Sequence, residues 1–219
     1  GYQGIYLATS SGSGSGMGQI YNNMIGGGFR STTSMGIYTT SSRYNIWHNS
    51  INLDFATTTA SACIYFASGS LNDVRNNQLS VSNASAINAY CVYTTSTGYM
   101  SALDYNNYWN MSSSNLLYIS GTNYTNATYK AAYTAGGGLN SLNVNPTFVS
   151  NNNLHITNPC LTGVNLGVAA DMDGDSRSTT PDIGADEVAP LTDNLMVDSI
   201  MYPASPSLPS ATTGMRIRI

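Results

Sequence analysis

The chain has 219 residues, of which only 8% are charged and 42% are apolar, with seven basic residues and a net charge of −4. So few cations leave no basic stripe to neutralise phosphates, which excludes a nucleic-acid partner. No apolar run approaches the 18 or more residues of a membrane span, and the apolar fraction is too high for a disordered chain.

In chain order, one pattern recurs four times: an apolar residue, Asn three places on, and an apolar residue two further. It reads Ile20-Tyr-Asn-Asn23-Met-Ile25, Ile46-Trp-His-Asn49-Ser-Ile51, Val74-Arg-Asn-Asn77-Gln-Leu79 and Leu103-Asp-Tyr-Asn106-Asn-Tyr108. The Asn spacings are 26, 28 and 29 residues. A second element keeps the same phase and supplies Tyr6, Tyr38, Tyr65 and Tyr93, with Tyr118 as a fifth copy. A period of this size built from short strand-like runs predicts stacked coils. The predicted fold is all-β, a right-handed parallel β-helix with three sheets, over residues 1–160.

Equivalent residues of such a solenoid lie about 4.8 Å apart. Ile5, Ile37, Ile64 and Val92 then form one inward row, Ile20, Ile46, Val74 and Leu103 a second, and Ile25, Ile51, Leu79 and Tyr108 a third. Asn23, Asn49, Asn77 and Asn106 form a ladder, because an amide both donates and accepts and tolerates unusual backbone angles at a bend. Tyr6, Tyr38, Tyr65 and Tyr93 form a second ladder, for packing or a subunit contact. The Ser/Gly run from Ser10 to Gly16 reads as a flexible excursion. Cys63 and Cys91 stand where earlier coils have Gly4 and Gly36, so they read as small buried thiols, as does Cys160. His48 falls in the bend column with Asn22 and Asn76 and reads as a hydrogen-bonding surface residue.

One outward face carries the column Tyr21, Trp47, Arg75, Asp104, beside Gln19, Asn45, Asp73, Ala102. Tyr21 and Trp47 could stack on a sugar while Asp73 and Arg75 hydrogen-bond its edges, a glycan site. Alternatively the column is an aromatic ladder ending in an Arg75–Asp104 pair, with Arg75 over Trp47. Asp73 and Asp104 are separated by about 8 Å from the strand dimensions, the spacing of an inverting glycosidase. Arg75 between them favours both ionised forms and removes the general acid, so no catalytic residue is assigned.

Past Trp109 the repeat loosens. Residues 128–135 predict a short helix, stopped at Gly136-Gly-Gly138, that covers part of the open coil. Residues 161–188 predict an acidic cap loop. Asp171, Asp173 and Asp175 surround Gly174, and Asp182 or Asp186 completes a shell for Ca2+. In the alternative, Arg177 bridges the aspartates and the loop locks the last coil. Residues 189–219 read as a linker and the truncated start of an immunoglobulin-like domain. In it Met196–Ile200 and the alternating Met215–Ile219 form strands.

The order Asn145-Pro-Thr-Phe-Val149, Leu154-His-Ile156, Pro159-Cys-Leu161, Asp171-Met-Asp-Gly-Asp-Ser-Arg177, Asp182-Ile-Gly-Ala-Asp-Glu187 resembles the C-terminal part of bacterial right-handed parallel β-helix surface proteins. The resemblance spans about residues 1–188. It implies a secreted, multidomain, cell-surface protein of the kind exported by the type IX pathway. The expected partners are neighbouring domains of the same long chain, copies of itself in a surface assembly, and glycans. An open solenoid end exposes unpaired strand edges, so the chain is expected to be one piece of a longer protein.

Overall fold

The structure, a computed structural model, describes residues 1–8, 16–29, 33–41, 43–132, 137–157 and 161–188, with two short strands at 199–200 and 217–218. Most of the Ser10–Gly16 excursion, Arg30, Cys160 and the predicted helix end at 133–136 lie outside the described residues, as does most of 189–219.

The described chain forms a parallel β-solenoid of four coils. The first holds β1 (Tyr2–Leu7), β2 (Gly18–Tyr21) and β3 (Met24–Ile25). The second holds β4 (Ser34–Thr39), β5 (Tyr44–Trp47) and β6 (Ser50–Leu53), and the third β7 (Ser61–Phe66), β8 (Asn72–Arg75) and β9 (Gln78–Val81). The fourth holds β10 (Ala89–Thr94), β11 (Met100–Asp104) and β12 (Asn107–Asn110). Three sheets result, β1-β4-β7-β10, β2-β5-β8-β11 and β3-β6-β9-β12. The first continues into β13 (Leu117–Ile119) and the antiparallel β14 (Thr122–Tyr124).

Registry follows the three inward rows. Ile5 pairs with Ile37, Ile37 with Ile64 and Val92 with Ile64. Ile20–Ile46–Val74–Leu103 and Ile25–Ile51–Leu79–Tyr108 align in the same way. From Ile37 through Tyr108 these side chains are buried in one continuous core, whose apolar burial is the main stabilising contribution. At the sheet edge of that core the Gly/Cys position follows its neighbour. A Cβ at Gly4 or Gly36 would stand 2.5 or 2.4 Å from the Cγ2 of Ile25 or Ile51. Cys63 and Cys91 occur in the coils where the corresponding residues are Leu79 and Tyr108, which lack a branch at Cβ. Both thiols are free and buried.

The Asn ladder is continuous. Asn23 Nδ2 donates to Asn49 Oδ1 at 2.8 Å, Asn49 Nδ2 to Asn77 Oδ1 at 3.0 Å, and Asn77 Nδ2 to Asn106 Oδ1 at 3.0 Å. Each backbone N–H of Asn23, Asn49 and Asn77 donates to the same carbonyl oxygen above it. Ser141 ends the line, its Oγ accepting from Asn106 N at 3.3 Å. The unusual backbone angle belongs to the residue before each ladder Asn. Asn22, His48, Asn76 and Tyr105 have φ of 58°, 51°, 55° and 53°, a left-handed column that Asn tolerates because its short amide bonds locally.

The tyrosine ladder stacks on the first sheet, with ring centroids 5.4 Å apart for Tyr6–Tyr38 and Tyr38–Tyr65, 4.6 Å for Tyr65–Tyr93 and 4.4 Å for Tyr93–Tyr118. Burial among its neighbours raises the Tyr93 phenol to about 12.

The predicted helix begins earlier than the sequence suggested, as α1 (Asn126–Ala132). Thr125 and Thr128 exchange bonds at its start, and Tyr129 is buried with its hydroxyl donating to Leu103 O at 2.9 Å, so α1 covers the fourth coil. Leu142 then pairs onto Asn107, capping the third sheet.

The segment 161–188 corrects the expectation that it locks the last coil. After the hairpin β15 (Phe148–Ser150) and β16 (Asn153–Ile156), it runs lengthwise along the bend between the second and third sheets. Val164 N donates to Asn76 Oδ1 at 3.0 Å in the third coil, and Ala185 N to Ser50 Oγ at 3.0 Å in the second. Ala170 O accepts from Asn22 Nδ2 at 2.8 Å in the first. The left-handed bend column turns its amides outward, which offers this strap a row of donors and acceptors. Gly163 lets it approach, since a Cβ there would lie 2.5 Å from Asn76 Oδ1.

Residues 1–188 form one compact unit and 189–219 another. In the second, β17 (Ser199–Ile200) pairs antiparallel with β18 (Ile217–Arg218). The rest of the predicted immunoglobulin-like opening lies outside the described residues. Among the described residues no helix is long and apolar enough to cross a membrane.

Candidate functional site

On the second sheet the alternation of β2, β5, β8 and β11 places Tyr21, Trp47, Arg75 and Asp104 outward in one column. Arg75 does not pair with Asp104. Its Nε and Nη2 donate to the two carboxylate oxygens of Asp73 at 2.7 and 2.5 Å, a bidentate fork between residues two apart on one strand face. That bond holds the guanidinium firmly charged. The guanidinium carbon also lies 5.9 Å from the Trp47 ring centre. Asp104 instead accepts from Tyr105 N, Asn140 N and Asn140 Nδ2 at 2.8 to 2.9 Å, tying the capping segment down. Both carboxylates are thus engaged by hydrogen bonds within the chain.

Tyr21 and Trp47 meet the strap. With Gln19, Asn22 and residues Leu166–Asp171 they line a cleft of about 480 Å³. Tyr21 is 42% exposed there. Asp73 and Arg75, predicted to share the ligand face, are outside this cleft and are satisfied by each other.

The acidic strap is built by its own backbone. Asp171 Oδ1 accepts from Asp173 N and Asp175 N, and its Oδ2 from Glu187 N, all at 2.9 Å. Gly174, at φ 93°, permits the turn. Asp182 Oδ2 accepts from Val188 N at 2.9 Å. Asp171, Asp173, Asp175 and Asp182 therefore do not converge as one ligand set: two of the four serve as backbone anchors. The alternative through Arg177 is corrected as well. Arg177, 1% exposed at its side chain, pairs with Glu187 at 3.2 Å and donates to Asn22 Oδ1, Gly184 O and Ala185 O at 3.0 to 3.2 Å. Burial lowers its pKa while Glu187 opposes that shift. It fastens the strap to the first coil; the charges of Asp171 and Asp182 also act on it, but its hydrogen bonds go to Glu187, Asn22 and backbone carbonyls and not to the carboxylates of Asp171, Asp173 and Asp175.

The ligand atoms that do converge, among the described residues, come from His155, Asp173 and Asp186, all within 4.8 Å of one another. Sequence reasoning missed His155. The alternation Leu154-His155-Ile156 shows that it faces outward, but only the strap's path brings Asp173 and Asp186 to it.

His48 is fully buried, against the expectation of a surface residue, because the strap covers the bend column. Its ring meets Asn76 Nδ2 at 3.0 Å. Burial, aided by the Arg177 charge, lowers its pKa to about 3. The unfolded chain therefore takes up this proton below about pH 6.5 while the folded chain does not, so stability falls as pH drops from 6.5 towards 3. Asp182 acts oppositely. Burial raises it to about 6, and its contribution to stability falls as pH rises from about 4 to 6. His48→Asn, which restores the residue type found at 22 and 76, is expected to shrink the melting-temperature loss between pH 7 and pH 4. An unchanged loss in paired thermal melts would refute the burial argument.

No protein-family model, curated protein or solved structure matches this chain.

Proposed function

We propose that the chain is a non-catalytic structural and adhesive module of a large extracellular bacterial surface or filament protein, a stiff solenoid that spaces or presents its neighbours. The observation that carries this is the use of polar groups. Asp73 and Asp104, the acids of the exposed sheet face, are consumed by Arg75 and Asn140. The repeated Asn and Tyr positions are likewise spent on ladders between coils. Partners in this reading are adjacent domains and further copies of the chain. Surface location follows from the sequence resemblance and is tested by protease shaving of cells that carry the parent protein, with the solenoid released from intact cells. Incubation with a panel of polysaccharides is expected to release no product. Product release abolished by Asp73→Asn would make the module a glycosidase.

The cleft at Tyr21 and Trp47 favours a second reading, carbohydrate binding. Its volume lies in the range of small-ligand sites, and two aromatic residues on one wall suit a sugar face. Retention on a glycan array that Trp47→Ala removes would support it; no retained glycan would end it.

A further inference from the structure

We propose that His155, Asp173 and Asp186 form a binding site for a divalent transition metal of the zinc type. The inference is independent of the spacer role and of the cleft. Each ligand is placed by a separate device. Strand β16 buries Leu154 and Ile156 and turns His155 outward. The turn at Gly174 presents Asp173 from the strap. Asp186 is only 8% exposed and is pinned by Ile156 N, which donates to its Oδ2 at 2.9 Å.

The orientation of the His155 ring follows from Asn153. Asn153 Oδ1 accepts from the His155 backbone N–H at 3.2 Å, and a backbone amide can only donate, so this atom is the carbonyl oxygen. The same oxygen meets His155 Nδ1, which must therefore carry the hydrogen. With Nδ1 held there, Nε2 is the ring nitrogen that faces Asp173 Oδ2, 2.7 Å away. That nitrogen and the oxygens of Asp173 and Asp186 converge from three separate elements, and a metal ion would enter by parting Nε2 and Oδ2 from their hydrogen-bond separation. A side-chain carbonyl that fixes Nδ1–H and aims Nε2 is the outer support that metal-binding histidines use.

Two carboxylates balance a divalent charge, and one imidazole nitrogen with two oxygens suits zinc-type ions, whereas calcium takes six to eight oxygens. Three protein ligands leave a fourth position open, as at a site that takes water or a partner's side chain. The rival positive species is a second proton on the ring, which gives an imidazolium–carboxylate pair and no metal site.

The test uses the full chain, stripped with chelator and titrated calorimetrically with Zn2+. One equivalent is expected to bind, and a hundredfold excess over Kd is expected to raise the melting temperature by about 5–10 °C. Co2+ in place of Zn2+ should give the visible absorption of a four-coordinate ion. His155→Gln, on the strand surface, should abolish both signals while leaving the metal-free melt unchanged. Asp175→Asn, outside the cluster, should keep them. Absence of Zn2+ binding at pH 7 would overturn the proposal in favour of the protonated pair. So would Zn2+ binding that His155→Gln leaves intact. Ca2+ binding lost in Asp175→Asn but kept in His155→Gln would place the ion in the Asp-Gly-Asp turn instead.

Discussion

Asn77→Ala is expected to lower the melting temperature by on the order of 10 °C, the largest effect of any single ladder substitution. The Asn77 amide donates to Ile46 O, Arg75 O and Asn106 Oδ1 at 2.7 to 3.0 Å, and its oxygen accepts from the Asn49 backbone and side chain. The bonds to Ile46, Asn106 and Asn49 are buried and the one to Arg75 O is partly so, while Asn77 itself is fully buried. Truncation leaves several of them unpaired, at about 1–3 kcal/mol for each that water does not reach. Asn77→Asp keeps the volume but faces a carboxylate towards the carbonyls of Ile46 and Arg75, so it should be no better tolerated. Thermal or urea melts decide this. A variant melting within about 2 °C of the parent would show that the ladder is decorative.

Arg177→Ala carries the second large expectation, a loss of about 3–5 kcal/mol. The guanidinium is enclosed, and its removal leaves the Glu187 carboxylate, 10% exposed, with backbone donors at Ser178 and Asp182 but no countercharge at hand, and takes a donor from the carbonyls of Gly184 and Ala185. Lysine should rescue little, because a single ammonium cannot span the fork that reaches Glu187, Asn22 and the two carbonyls. Hydrogen exchange separates this from general destabilisation. The Gly184 amide, which donates to Asn76 O at 2.9 Å, should lose protection, while the amides paired between β7 and β10 keep theirs. Equal loss in both places would mean that Arg177 supports the solenoid as a whole.

The ladders were legible because a repeat reports its own geometry. Asn49 and Asn77 can be placed one above the other from spacing alone once two elements share a register. The same information named the inward isoleucines and the Gly/Cys position. It did not reveal why that position changes residue, which needs the Cγ2 of Ile51 pointing at Gly36. Bend conformation was read one residue late, since the left-handed residue and the ladder Asn are sequence neighbours and both are often Asn. Arg75 was assigned to Asp104 because coil superposition supplies neighbours above and below, whereas the bidentate geometry with Asp73 lies within one strand.

The strap was opaque for a stronger reason. It has no period, and its bonds join residues as far apart as Asn22 and Arg177, separated by 155 positions. That hid the burial of His48, the true partners of Arg177 and the meeting of His155 with Asp173. Asp171 looked like a cation ligand because carboxylates at alternate positions serve ions and tight turns equally well. Its three backbone donors are a matter of fold.

Stacked repeats ordinarily melt rung by rung from an open end, since each rung touches only its neighbours. A ribbon stitched to three successive rungs couples them: none of the three can open until its bonds to the ribbon are released. Unravelling should therefore be all-or-none across residues 1–188. Folding should wait on the docking of the strap, whose distant contacts carry a high loop-closure cost. During synthesis the coils can form before the latch that ties them together is made.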